Sequence, residues 1–170
     1  IGAPGHQRQH QHRLGCKRIR TICGDFLDVE TPLRQAYAAV LLDAPCSGSG
    51  VLRRHPEASL RPPNLAELSG LQARLLDRAA QLVAPGGVLL YSVCSLFVPE
   101  GPAQIASFLA RHPDFSPLPP ASDDPIFSSN LTPLCEPKPP FALRTLPHRD
   151  NADGFYAVRL LHTCTSGPTE

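Results

Sequence analysis

Tyr37-Ala38-Ala39-Val40-Leu41-Leu42-Asp43-Ala44-Pro45-Cys46 sets the fold class of this chain. An apolar run closed by an acid and a proline reads as a strand, Tyr37 to Leu42, and a second such run, Val88 to Val93, ends at Cys94. Nearly continuous apolar strands are covered on both faces, which is the habit of a parallel sheet with helices packed on it. Between the two, Asn64 is a good N-cap with Glu67 three residues on, as in a capping box. Leu68, Leu71, Leu75, Ala79 and Leu82 then recur at steps of three and four on one helix face, and Pro85-Gly86-Gly87 is expected to end the helix. Upstream, Arg18 to Cys23 reads as a further strand ending at Gly24-Asp25. Strand-like and helix-like segments thus alternate from 18 to 96, the signature of an α/β layer.

Downstream the pattern changes. A shorter helix is expected after Pro99, with Ile105, Phe108 and Leu109 inward, stopping before His112-Pro113. Half of the 20 prolines fall between 113 and 147, so that stretch reads as a long loop. Phe141 to Leu146 and Phe155 to Leu161, joined by a turn around Asp150 to Gly154, form an expected antiparallel hairpin on the sheet edge. The length of 170 residues suits one domain, and 42% apolar with 18% charged residues allows a sizeable core. No apolar run approaches the roughly 20 residues of a membrane span, and no apolar segment follows the basic start as in an export signal. A cytoplasmic protein with reduced thiols is expected.

The net charge of +1 hides an asymmetry. Residues 1 to 24 carry Arg8, Arg13, Lys17, Arg18, Arg20 and three histidines with no acid, so 1–17 reads as a basic, disordered tail able to meet phosphate or simply be solvated. The part from 18 to 162 is the folded domain, and 163–170 is a tail. The six cysteines contain no CxxC pair, which excludes zinc-ribbon and thioredoxin-like motifs. His6, His10 and His12 lie in a Gln-rich stretch without a fourth ligand, so no metal is expected.

In open α/β sheets ligands bind beyond the carboxyl ends of the strands. Those ends carry Asp25, Asp43 with Cys46, and Cys94. If the strands before Asp43 and Cys94 are neighbours, about 4.8 Å apart, the two thiols flank one cleft. Several readings stay open from the residues alone: a Cys46–Cys94 disulfide, small core cysteines, or a thiol nucleophile paired with His55. Cys46-Ser47-Gly48-Ser49-Gly50 lacks the lysine of a phosphate loop and the spacing of a hydrolase elbow.

Leu42 to Val51 followed by Arg53-Arg54-His55-Pro56-Glu57 resembles motif IV of the RsmB/NOP (NSUN-type) RNA cytosine-C5 methyltransferases, and Tyr91-Ser92-Val93-Cys94-Ser95 resembles their motif VI. Gln72, Leu75, Leu76, Pro85-Gly86-Gly87, Leu146 to Asp150 and Asp153-Gly154-Phe155 fit the same family, nearest its bacterial ribosomal RNA branch. The similarity spans residues 14 to 162. It implies a Rossmann-like methyltransferase sheet, mostly parallel with an antiparallel C-terminal hairpin. It also implies S-adenosylmethionine as methyl donor and an RNA cytosine, in 16S ribosomal RNA, as acceptor.

By that resemblance Cys94 is the nucleophile that adds to C6, Cys46 assists release, and Asp43 holds and activates the flipped base. Asp25 and Asp43 would contact the cofactor, and Arg53, Arg54 and His55 the RNA phosphates. Val93 replaces a usual Thr, and Gly101 a usual Asn. The family's Gly-rich first motif has only an echo in Gly2-Ala3-Pro4-Gly5, and no Met begins the chain, so a truncated catalytic domain is expected. The alternative expectation is a non-catalytic RNA-binding remnant of the family.

Overall fold

β1 (Tyr37–Asp43) and β2 (Val83–Val93) lie side by side in parallel, with Leu42 opposite Tyr91 and Asp43 opposite Ser92. The computed structural model describes residues 19–33, 36–60, 63–120 and 135–163. The chain divides into two compact units, Ile1–Leu33 and Arg34–Glu170.

The second unit is a sheet of order β1-β2-β5-β3, with β4 also on β5. Helix α1 (Leu65–Ala80) makes the crossover from β1 to β2, and its cap is the expected one: Asn64 Oδ1 accepts the Glu67 amide at 3.3 Å. It buries Gln72, Leu75, Leu76, Ala79 and Ala80. The helix stops at Ala80, earlier than expected, and Pro85-Gly86-Gly87 kinks the start of β2 instead of ending the helix. Gly86 takes φ +77°, and a Cβ on Gly87 would lie 2.8 Å from the Ala84 carbonyl and 3.0 Å from that of Ala38. The β1/β2 register slips between Tyr37 and Ala39, opposite this kink.

Helix α2 (Pro102–Arg111) turns Gln104, Ile105 and Phe108 inward and leaves Leu109 half-buried. The proline-rich stretch is not all loop: β3 (Phe115–Pro117) pairs antiparallel with the end of β5. A proline is tolerated there because β3 is an edge strand. Residues 121–134 lie outside the described set. The hairpin is present: β4 (Leu143–Thr145) runs antiparallel to β5 (Phe155–His162), with the single-turn helix α3 (Pro147–Asp150) between them. β5 is also antiparallel to β2, so β1/β2 is the parallel pair and the described sheet is mixed. Leu76, Leu89, Tyr91, Val93, Ile105, Phe108 and Leu160 form the heart of the core. Leu41, on β1 at the end of the described strand order, is 68% exposed. No described helix is long and apolar enough to cross a membrane.

In the first unit, the strand expected over Arg18 to Cys23 is absent from the described residues 19–23. Apolar alternation makes a strand only where a neighbour takes up its backbone hydrogen bonds. Beyond it, Asp25 caps its own turn: Oδ1 accepts the Leu27 amide at 2.9 Å, and its carbonyl accepts the Thr31 hydroxyl at 2.6 Å.

Candidate active site

Because β1 and β2 are parallel neighbours, their carboxyl ends open on the same rim. Asp43 closes β1, exposed, and its Oδ1 accepts the Ser92 hydroxyl at 3.1 Å. The chain then turns through Ala44 and Pro45. The Ala44 amide bonds the Ser92 carbonyl at 3.0 Å, and Gln72 Nε2 donates to the Pro45 carbonyl at 2.9 Å. These two anchors deliver Cys46 to Cys94, with the sulfur atoms 3.4 Å apart and both residues half-buried.

Such a pair shares protons. Either sulfur can donate in this contact; with Cys46 as the donor, the hydrogen bond is the chief reason that the Cys94 thiol is lowered to about 7, against burial and the charges of Asp43 and Glu100. The same bond, with burial, pushes Cys46 well above the usual thiol range. Of the two, the contact pulls the Cys94 thiol down and pushes Cys46 up, and a thiolate is the nucleophilic form of a cysteine.

The loops bearing the two cysteines are tied together by groups that the sequence reading did not single out. Glu100, at the start of the α2 segment, is fully buried. Its Oε1 accepts the Ser47 amide at 2.8 Å and Gln72 Nε2 at 3.1 Å; its Oε2 accepts the hydroxyls of Ser47 and Ser95, each at 2.5 Å. Its carbonyl accepts the Tyr91 hydroxyl at 2.7 Å. Ser49 accepts the Leu96 amide at 2.9 Å. The serines of Cys46-Ser47-Gly48-Ser49-Gly50 thus serve this internal network. Gln72 was visible as a family match, but Glu100 stands beside Pro99 like any surface acid, and no spacing marks it.

Two glycines allow the closest approach. The Gly50 amide bonds the Cys94 carbonyl at 3.0 Å, and its carbonyl accepts the Gly154 amide at 2.8 Å. A Cβ on Gly50 would fall 2.0 Å from the Gly154 carbonyl oxygen, and one on Gly154 would meet Leu96 at 2.5 Å. At Gly101 a Cβ would stand 3.1 Å from the Tyr156 ring, close enough that the ring would have to give by a few tenths of an ångström.

The basic residues after the loop are engaged. Arg53 and Arg54 both reach Asp153, at 3.3 and 2.5 Å, while remaining about 60% exposed (61% and 59%). His55 Nδ1 faces Glu57 Oε1 at 3.2 Å, and the thiol partner of Cys46 is Cys94, so the structure does not favour a Cys46–His55 pair. Asp25 lies in the first unit. His6, His10 and His12 lie outside the described residues, and among those described no cluster of three His, Cys, Asp or Glu is placed to hold a metal.

Comparison with known proteins gives the family and the fold. The family model described as 16S rRNA methyltransferase RsmB/F matches residues 6–161. Ribosomal RNA small subunit methyltransferase B of Thermus thermophilus is 40% identical over 135 residues, 78% of this chain and 31% of the relative. The protein of the same name from Erwinia tasmaniensis is 38% identical over 127 residues, 74% of this chain and 26% of the relative. This chain therefore spans about three-tenths of the length of the curated relatives that it matches. Among solved structures, a methyltransferase homolog protein from Pyrococcus horikoshii superposes with a TM-score of 0.70 at 26% identity, covering 92% of this chain and 49% of that one. NSun6 from the same organism shares the fold, with a TM-score of 0.75 at 22% identity over 94% of this chain and 39% of that one. With a Rossmann-like methyltransferase fold, a family match over most of its length and two relatives close to 40% identical, the chain belongs to the 16S rRNA methyltransferase RsmB/F family.

Proposed function

We propose that this chain carries the catalytic centre of a 16S ribosomal RNA cytosine C5-methyltransferase, with Cys94 as nucleophile. The observation that carries the reading is the Cys46–Cys94 pair, 3.4 Å apart, in which Cys94 is lowered to about 7. C5 of cytosine is a poor nucleophile, and a thiolate adding at C6 moves the C5=C6 electron pair toward C5. S-adenosylmethionine supplies an electrophilic sulfonium methyl for that carbon. As the Cys94–C6 bond forms, the Cys94 sulfur becomes neutral and ceases to accept the Cys46 proton, so the main cause of the raised Cys46 pKa disappears. Cys46 can then lose its own proton to solvent and take the one on C5, after which the Cys94–C6 bond breaks and the ring regains its aromaticity. Asp43, exposed beside the thiols, accepts from the exocyclic amine of the flipped base.

The residues fit part of the methyl donor. Asp43 is bonded at one oxygen by Ser92 and offers its other oxygen at the parallel strand ends, where a cationic or hydroxyl group of a cofactor binds. Asp25, in the first unit, accepts the Leu27 amide at Oδ1, and a part for it in holding the donor rests on the family resemblance. Arg53, Arg54 and His55 are exposed, in reach of phosphate once Asp153 releases the two guanidinium groups.

The test replaces the corresponding segment of the Thermus thermophilus relative with this chain and supplies labelled methyl donor and unmodified 16S ribosomal RNA. Label recovered as 5-methylcytidine supports the reading. RNA binding without transfer would favour a non-catalytic RNA-binding role, and label on another base would overturn the C5 assignment.

A further inference from the structure

We propose that Glu100 is a positioning residue: a buried clamp that holds the Cys46 loop against the Cys94 loop and so keeps the two sulfurs in hydrogen-bonding range. The inference rests on the functional reading above for its relevance to catalysis, but not for its test.

Glu100 is 0% exposed and, among the described residues, pairs with no Lys or Arg; what surrounds it is a set of donors. All four of its side-chain contacts are donors, so the carboxyl acts purely as an acceptor and both of its oxygens are filled. Burying such a group is costly unless every lone pair is used, so the donors are held as firmly as they hold it. Their positions matter. Ser47 directly follows Cys46, and Ser95 directly follows Cys94. Both hydroxyls reach Oε2, and the two hydroxyl oxygens lie in hydrogen-bonding range of each other at 3.2 Å. Gln72 extends the clamp to α1, giving one Nε2 proton to Glu100 and the other to the Pro45 carbonyl, directly before Cys46. Tyr91, two residues from Val93 on β2, grips the Glu100 carbonyl. One carboxylate thus ties the chain on either side of Cys46 and just after Cys94, beside the Gly50–Cys94 and Ser49–Leu96 bonds between the same loops.

A clamp and a bare charge make opposite predictions. As a negative charge, Glu100 raises the Cys94 pKa; as a clamp it preserves the Cys46 hydrogen bond that lowers it. Ser47→Ala removes one clamp bond and leaves the charge, whereas Glu100→Gln removes the charge and disrupts the acceptor set. The 170-residue chain and both variants are alkylated with iodoacetamide from pH 5 to 10, with Cys94 followed by peptide mass spectrometry and folding by thermal melting. We expect the Cys94 midpoint to rise from about 7 to about 8 or above in both variants. A midpoint that falls in Glu100→Gln while staying put in Ser47→Ala would show a charge without a clamp, and midpoints unmoved in both would show a bystander; either overturns the proposal. If Glu100→Gln fails to melt cooperatively, Ser47→Ala decides alone: a rise supports the clamp and no movement sinks it. The assay uses neither RNA nor methyl donor, so an inactive chimera would not change its outcome.

Discussion

Removing the Cys46 thiol is the sharpest probe of how the Cys94 thiolate is made. In Cys46→Ala the S–H donor at 3.4 Å is lost, while Asp43 and Glu100, whose charges oppose ionisation, remain. The Cys94 pKa should climb from about 7 to at least the ordinary thiol value of 9.0. At pH 7 the ionised fraction then falls from about one half to about one hundredth, roughly fiftyfold. A more basic thiolate is also a better nucleophile: with a Brønsted coefficient of about 0.45, the same change speeds each thiolate about eightfold. The net loss in alkylation rate at pH 7 is therefore only about sixfold, and above about pH 8 the variant overtakes the parent. This crossover is the signature. Site-resolved iodoacetamide alkylation of both proteins across pH 5 to 10 measures it. Parallel profiles with a common midpoint near 7 would refute the claim that Cys46 activates Cys94.

Three other outcomes follow from particular contacts. Gly50→Ala forces a methyl group onto the Gly154 carbonyl, 2.0 Å from the Cβ position, and urea unfolding should show a loss of about 2 kcal/mol or more, against a gain of about 0.5–1 kcal/mol for Ala at the open, mid-helix Gly70. Asp77 is held below the usual carboxylate range because the hydrogen bonds of Arg111 and His112 outweigh the opposing effect of burial. Its contribution is present above the unfolded pKa and lost as pH falls through the lower folded one, so the melting-temperature gap between parent and Asp77→Asn should shrink below about pH 4. Asp153→Asn frees Arg53 and Arg54, and filter binding of a 16S RNA fragment should tighten, with the log–log salt slope steeper by about 0.7 for each new phosphate contact; an unchanged slope would remove the two arginines from the RNA face.

The part of the site legible in the sequence is the part that follows from strand order. Two apolar strands ending in Asp43-Ala44-Pro45-Cys46 and Val93-Cys94 bring their cysteines together once they are parallel neighbours, and the register supplies that. The Asn64 cap and the Leu143–Thr145 with Phe155–His162 hairpin were likewise written in local chemistry. What was hidden depends on tertiary packing. Glu100 looks like a surface acid until the fold closes over it, and Asp153 gives no hint that it collects Arg53 and Arg54 across a long stretch of chain. Continuous apolarity in β1 suggested cover on both faces, yet Leu41 is exposed, on a strand with one neighbour among the described residues. Pro117 argued for loop, and an edge position made it strand. The cysteine roles came from family resemblance, since both thiols end neighbouring strands and position alone does not order them.

The most direct test of the central claim is covalent capture of RNA. In the chimera with the Thermus thermophilus relative, incubated with 16S ribosomal RNA and methyl donor, Cys46→Ala should accumulate a protein–RNA adduct that survives denaturing electrophoresis, because the nucleophile has bonded C6 and the release step is slow. Cys94→Ala should give neither adduct nor methylated product. An adduct that builds up in Cys94→Ala and is missing from Cys46→Ala would contradict the account and exchange the roles of the two thiols.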